Sequence, residues 1–559
     1  MALRSSHSRP SIYRSGSSYL DISIANSRIV DGDDTSIIAG LDKDTTLHRG
    51  LKSRHVQLLA LGGCIGTGLF IGSGGALSVA GPASLFLSYC IMLVVIFFVM
   101  NMLGEMITFL PLPGNGAQSF VKDYVDDSLG FAISWNYRYA FSILVPTEIT
   151  AAALLIDYWP NSVHTAVWIT IFLVVMVGLN LTSVKVFGEA EFYFASIKIF
   201  AVVGLIVLGV VLFFGGGPSH DRLGFRYWKH GLAFKPYLVE GPTGRFLGFW
   251  YAVIRSGFAF ICSPELVATA GSEAIKPRAN IPKAASRFIY RLGFFYVLGT
   301  LVIGIICDSR SHQLLNGSSD ASASPFVIGI KNAGIPVLDS IINAAILTSA
   351  ASSGNSFLYS SSRVLYSNAV KGIAPSIFMR VNRFGVPYFA VVTTSLFGCL
   401  AYLNASSTSA NVFTWLSNIA TISGFLSWTA LSVAYIRWRK AISHNDLWHR
   451  VTYKTILQPY GAYFVIFFVG LICLTNGFAV FFNFNGPDFV AAYVTFPILA
   501  ALYVSHKVYE YFKLGRVRFV RPIEEIDVTT NLDLIEQEDA GIPARVPRNL
   551  VEKAWFWLA

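Results

Sequence analysis

Few ionisable side chains stand inside the long apolar stretches of this sequence, and those few are where chemistry can occur. Glu148 lies in PTEITAAA, Lys198 in ASIKIFAVVG, Glu265 directly after Ser263-Pro264, and Glu105 in LGEMITF. Arg138 and Arg255 place guanidinium groups in similar surroundings. A charged group in hydrocarbon costs about 3 kcal/mol or more unless it is paired or wet, so such residues mark polar pathways. A carboxylate or an amine held in such a place can take up and release a proton. Glu148, Lys198 and Glu265 are therefore candidate proton-coupling groups. For Glu105, at the end of its apolar run, snorkelling to the membrane interface is the plain alternative.

The backbone offers a second kind of chemistry at two places. Gly62, Gly63, Gly66, Gly68, Gly72, Gly74 and Gly75 crowd one apolar run, and each weakens a helix by about 1 kcal/mol relative to alanine. Where those glycines open the helix, the N–H groups of Gly66, Thr67 and Gly68 lose their acceptors. They then sit at the positive end of the following half-helix, which suits a carboxylate. Ser263-Pro264 interrupts a later run, because proline removes a helical hydrogen bond and clashes with the preceding turn. The carbonyls from Ala259 to Cys262 are then expected to be free for an ammonium group, beside Ser263. Close helix packing through small residues is the other reading of the glycines.

The elements that must hold these groups follow from composition. Of 559 residues, 54% are hydrophobic and 13% charged, against roughly 25% charged in an ordinary soluble protein. Disorder, a collagen-like rod and a disulfide scaffold are excluded by the same figures. No Asp, Glu, Lys or Arg occurs from Val56 to Gly104 or from Phe384 to Ile436. A helix crosses a bilayer with about 20 apolar residues, so each stretch holds two crossings. Continuing along the chain places twelve spans, near 57–78, 83–105, 130–156, 163–183, 191–214, 247–272, 289–307, 337–365, 388–403, 412–436, 461–482 and 489–510. The runs are too long and too uniformly apolar for barrel strands. The expected organisation is an N-terminal tail over 1–55, a twelve-helix domain over 56–511 and a C-terminal tail over 512–559. No signal peptide is expected, since the first 55 residues are polar and rich in Ser and Arg.

The two broken helices are spans 1 and 6, five spans apart. Breaks at corresponding positions of two five-helix halves predict an inverted-repeat transporter with its site at the midplane. With the N-terminus inside, inner loops hold fourteen Lys and Arg against seven in outer loops, which favours both termini in the cytoplasm. The loop 215–246 violates that rule, with five of the seven outer charges.

Other chemistries lack their residues. The six cysteines are scattered singly, without zinc spacing, and the ten histidines show no HExxH or paired ligands. There is no Walker-type loop for ATP-driven transport. The formal charge of +10 does not imply nucleic acid, because the Lys and Arg lie between apolar runs rather than on one basic face. No enzyme activity, cofactor or metal is expected.

GGCIGTGLFIGSG (62–74), LGEMITFLP (103–111), PTEITAAA (146–153), SPELVATAGSEAIKPRANIPKA (263–284), SSRVLYSNAVKGIAPSIF (361–378), NRFGVPY (382–388) and QPYGAY (458–463) occur in this order. Together they resemble the fungal amino-acid permeases of the yeast amino acid transporter family, in the amino acid–polyamine–organocation superfamily. The resemblance covers roughly 47–530. It implies an all-α integral membrane protein with a five-plus-five inverted repeat and two additional helices. It also implies proton-coupled uptake of an amino-acid substrate across the plasma membrane. A non-transporting amino-acid sensor of the same fold, or a permease for 4-aminobutyrate, choline or polyamine, are the alternatives.

The resemblance assigns recognition of the substrate's carboxyl and amino groups to the two breaks. It makes Glu148 the substrate-pocket glutamate and Phe258 an aromatic wall over the ligand. Lys198 matches a lysine whose ammonium stands in for a sodium ion in sodium-independent relatives, linking span 5 to the span 1 break. Arg138 departs from the family, which carries an aromatic there. Arg255, one turn before Phe258, would repel a cationic substrate by about 4 kcal/mol at 4 Å if it faced the pocket. Neutral amino acids, proline among them, are then the expected substrates; an Arg255 turned to the outer vestibule would select nothing. The resemblance also implies ubiquitin-ligase machinery acting on the tails. Lys43 and Lys52 are the only acceptors in the N-tail, and substrate-induced loss from the cell surface in a double arginine variant would rule them out.

Overall fold

In the computed structural model, residues 65–111, 117–265, 277–315, 324–405, 407, 409–515, 518–530, 532–533, 536–537 and 549 are described. Gly62, Gly63, Lys43, Lys52 and most of both tails lie outside these residues. The described chain is helical, with no strand. Among the described residues, seven helices are long and apolar enough to cross a membrane: Pro82–Phe109, Asp127–Ile156, Val184–Phe213, Gly241–Glu265, Ile281–Ile306, Ser409–His444 and Tyr460–Phe481. These are spans 2, 3, 5, 6, 7, 10 and 11. Span 12 is a pair, Gly486–Tyr493 and Thr495–Lys513, bent by 45°. Spans 1, 4 and 9 are the shorter apolar helices Gly68–Ala80, Thr165–Leu181 and Tyr388–Asn404.

Span 8, Leu338–Val370, is the most polar crossing. Ser349, Ser352, Ser353, Asn355 and Ser361 are all buried on it. Its hydroxyls and amides turn inward toward spans 3 and 5, which removes them from lipid and makes them available to one another. Spans 3, 8 and 10 form the centre: 94% of the apolar window of span 3 is buried, against 33% for spans 5 and 11. The latter two therefore show most of their surface to lipid.

Local sequence explains the ends. Asp126 caps span 3 by accepting from the Leu129 N–H at 2.9 Å, and Ser183 caps span 5. Two short helices not anticipated from the sequence, Ala117–Tyr124 and Pro325–Asn332, precede spans 3 and 8 on opposite faces of the bundle. The face carrying Ala117–Tyr124 also holds 518–530 and is called the tail face below. There Arg521 N–H donates to the Val125 carbonyl at 2.8 Å, and Ile526, Val528 and Leu532 are buried. Part of the expected C-terminal tail thus docks on the helices.

The positively charged loop 215–246 folds back over the opposite face. Lys235 Nζ donates to the carbonyls of Ser78 and, at 3.1 Å, Ser309, while Trp228 donates to the Gly304 carbonyl at 2.9 Å. Gly81 allows this close approach: its φ is +86°, and a Cβ there would meet the Leu232 carbonyl at 2.3 Å. The charges that break the loop-charge rule are in part structural, since Lys235 satisfies carbonyls at a helix end and Arg226 pairs with Asp221.

Candidate functional site

Span 1 enters the described structure at Ile65, and its first turn, Gly68–Gly72, is a π-helix leading into Ser73–Ala80. The wider turn changes the carbonyl pairing, and side chains fill in. Tyr89 donates to the Gly68 carbonyl at 3.0 Å, and Ser349 donates to the Ile65 carbonyl at 3.1 Å. Gly68 has to be glycine, because a Cβ would lie 2.5 Å from Ala259 Cα. The two breaks therefore touch backbone to backbone.

Span 6 breaks slightly earlier than its proline suggests. The helix Gly241–Phe260 ends, Ile261 is extended, and Cys262 adopts φ +61°, a conformation that costs a non-glycine residue about 1–2 kcal/mol. Helix resumes at Ser263, so Pro264 falls in the first turn of the second half-helix, where its missing N–H is harmless. The carbonyls expected to be free are partly engaged: Tyr296 donates to the Ala259 carbonyl at 2.8 Å, and Ser263 Oγ donates to that of Phe260.

Between the breaks lies a narrow cavity. Gly66, Gly68 and Glu148 form its polar side, while Leu144, Phe258, Ala259, Ile261 and Phe357 close it. Glu148 Oε1 accepts from Thr67 Oγ1 at 3.0 Å, and its Oε2 is buried with no hydrogen-bond partner among the described residues. Phe258 stands edge-on to Phe413, with ring centroids 5.5 Å apart. Lys198 Nζ donates to Ser353 Oγ at 3.1 Å. A Cβ on Gly66 would sit 3.2 Å from both Glu148 Oε1 and Ser353 Oγ, so the carboxylate and the hydroxyl flank the same glycine.

Gly66, Thr67, Gly68, Glu148, Phe258 and Ala259 thus converge, and Lys198 is linked to them through Ser353. Cys262 and Ser263 form the turn of span 6 and are absent from the cavity lining. Glu265 is elsewhere: its Oε1 accepts from Tyr137 at 3.0 Å and Trp428 at 2.7 Å, tying span 6 to spans 3 and 10. Arg255 does not line the cavity either. Its guanidinium donates to Asn418 Oδ1 at 2.5 Å and Thr414 Oγ1 at 3.2 Å and lies over Tyr251, so it braces span 6 against span 10. Arg138 finds aromatic faces, Trp135 at 5.6 Å and Phe397 at 5.2 Å. Glu105 is buried and does not snorkel: Thr455 and Tyr435 donate to it. Sequence reasoning missed Leu144, Ile261 and Phe357, which are apolar residues like dozens of others, and Ser353, whose only signal was the polar stripe of span 8.

A bundle with paired broken helices around a midplane cavity is the architecture of a membrane transporter. The solved manganese transporter of Eremococcus coleocola shares this fold, with a TM-score of 0.50 and 13% identity, covering 85% of this chain and 99% of that one. The chain belongs to the amino acid permease family, whose model matches residues 55–517. It is 58% identical over 503 residues to the probable proline-specific permease put4 of Schizosaccharomyces pombe, covering 89% of this chain and 90% of the relative. It is 49% identical over 533 residues to the proline-specific permease of Emericella nidulans, with 94% and 96% covered. The protein is accordingly a multi-pass membrane protein that transports amino acids.

Proposed function

We propose that this permease imports proline, with a proton, across the plasma membrane, and that both termini face the cytoplasm. The observation that carries this reading is the cavity between the two breaks, with the open oxygen of Glu148 as its one charged acceptor. A proline ammonium has two N–H groups rather than three. Glu148 Oε2 and one carbonyl of the span 6 break satisfy both, while the Ala259 carbonyl is already shared with Tyr296. The N–H groups at Gly66 to Gly68, at the start of the span 1 half-helix, take the carboxylate. The closed cavity, about 10 Å³, has room for a single water, so Leu144, Phe258, Ile261 and Phe357 part to admit the ring, and they bring no group to pair a cationic side chain. The names of the relatives support the same substrate. With Arg255 engaged by span 10, exclusion of basic amino acids rests on this lining and on the fit of the ring.

Proton entry is assigned to Glu148, the one ionisable group in the lining among the described residues, and to Lys198, which reaches it through the Ser353 hydroxyl beside Gly66. In cells lacking their own permeases, expression should confer uptake of labelled proline that excess arginine or lysine leaves intact. A protonophore should abolish accumulation, and replacing sodium with choline should not. Uptake that requires sodium, or that arginine and proline inhibit equally, would refute the proposal.

A further inference from the structure

Another buried carboxylate lies on span 5 and takes no part in the cavity. Glu191 is 1% exposed, and its Oε1 accepts from Ser352 Oγ at 2.6 Å. Its Oε2 is buried with no hydrogen-bond partner among the described residues. Lys198 follows seven residues later, about two helical turns, so both side chains leave the same face of span 5. Lys198 ends on Ser353 and Glu191 on Ser352, which are adjacent hydroxyls of span 8. Ser353 in turn lies beside Gly66, as Glu148 does. The sequence of groups therefore runs from the cavity to Lys198, and then to a carboxylate nearer Val184, the tail-face end of span 5.

The other ionisable side chains on span 5 are Lys185 and Tyr193, which are exposed, and Glu189. Span 8 adds Asp339, bound to Tyr158 at the far end, and Arg363, whose guanidinium lies 4.5 Å from the Tyr359 ring. Span 4 and Leu298–Ile306, which also pack on span 5, have none. A carboxylate buried with one oxygen open is expensive to keep unless it has work that a neutral side chain cannot do.

We propose that Glu191 is the proton acceptor on the tail side of the transport site. This rests on the proton-coupled reading above. The Lys198 ammonium loses a proton, which the Ser353 and Ser352 hydroxyls or a water between them carry to the Glu191 carboxylate. The products are a neutral amine and a neutral carboxylic acid, so two buried charges vanish together. The acid then releases the proton to water on the tail side, and Lys198 is reprotonated from the site with the next substrate.

Glu191→Gln keeps the shape and still offers Ser352 an acceptor, but cannot hold the exchanged proton. Coupling to one charge is worth about 2.3 kcal/mol per 100 mV, or roughly fifty-fold in accumulation. In proteoliposomes with an imposed proton gradient, E191Q should lose most of that accumulation, while exchange of internal for external proline persists. Glu191→Asp, which restores a carboxylate, should recover part of it. Accumulation by E191Q equal to the parent's would overturn the proposal, as would equal loss of accumulation and exchange with no recovery in E191D, since that pattern marks a structural role. A parent protein that accumulates proline without a proton gradient would instead refute the proton-coupled reading itself, so the two failures are distinct. Reconstitution at matched protein amounts removes any effect of poor surface delivery.

Discussion

Glu148 and Glu105 are both carboxylates buried in one helical bundle, and they are built in opposite ways. Glu105, on span 2 near the tail face, accepts from the Thr455 N–H at 2.7 Å and the Thr455 hydroxyl at 2.5 Å on one oxygen. The other oxygen accepts from Tyr435, with Arg439 at 3.7 Å. Those contacts clamp span 2 to span 10 and to the segment before span 11. Glu148 has Thr67 on one oxygen and an open second oxygen facing a cavity. An ionised carboxylate accepts at about four lone-pair positions. Filling them makes a rigid joint, and leaving one side open makes a binding group. Residue type and burial are the same in both cases; the number of donors aimed at the oxygens decides the role.

The sharpest break of this comparison is to neutralise each in turn. Glu148→Gln should lower proline uptake per surface molecule by roughly a hundredfold, about 2.7 kcal/mol, with little change in thermal unfolding in detergent. Glu105→Gln should do the reverse, lowering the unfolding temperature and the amount at the surface, because charge-assisted bonds of about 1.5–3 kcal/mol each are weakened. If both variants lose transport per molecule equally and unfold alike, the contrast is wrong.

A smaller effect sharpens the geometry around Glu148. In Gly68→Ala the new methyl would meet Ala259 Cα at 2.5 Å, so the two breaks must separate. Proline uptake should fall roughly tenfold through a raised KM, about 1.4 kcal/mol. Gly75→Ala, on the same span with nothing within 4 Å of the added Cβ, is the control and should transport normally.

The smallest effect concerns the clamped tail face. Glu536 pairs with Arg450 at 2.6 Å and Arg278 at 3.4 Å, and hydrogen bonding from Arg450 holds its carboxyl below the usual range. Docking of this segment is therefore fully present above about pH 4.3, the ordinary glutamate value, and weakens as pH falls through the lower folded value. Amide exchange over 521–533, corrected for intrinsic rates, should rise on acidification from pH 6 to 3. The same rise should appear at pH 6 in Glu536→Gln. Exchange that ignores both changes would show that the pair does not hold the segment.

Much of this was legible in one dimension. Apolar runs place the crossings, because lipid forbids exposed polar backbone and so each run must be a helix; the ends are less legible, and spans 5, 7 and 10 extend seven or eight residues further at one end than expected. Gly68 and Ser263-Pro264 mark the breaks, and Glu148 and Lys198 stand out because ionisable residues in such runs are rare. Span 8, expected near 337–365, forms at Leu338–Val370 even though its serines dilute its hydropathy. The paths of Arg255 and Glu105 were not legible, because a long side chain can turn to pocket, neighbour or interface from one backbone position.

The sequence by itself determined the solvent, the apolar crossings, the two interruptions and the charged residues that lipid would not tolerate without a purpose. Those are consequences of transfer energies and backbone hydrogen bonding, which act residue by residue. Tertiary structure alone decided which buried charge became a joint and which stayed open. That decision needs donors from distant parts of the chain, such as Thr455 for Glu105 and Ser352 for Glu191, brought within 3 Å of one oxygen and withheld from another. No local pattern encodes that arrangement, because the partners are separated by 350 and 161 residues of chain.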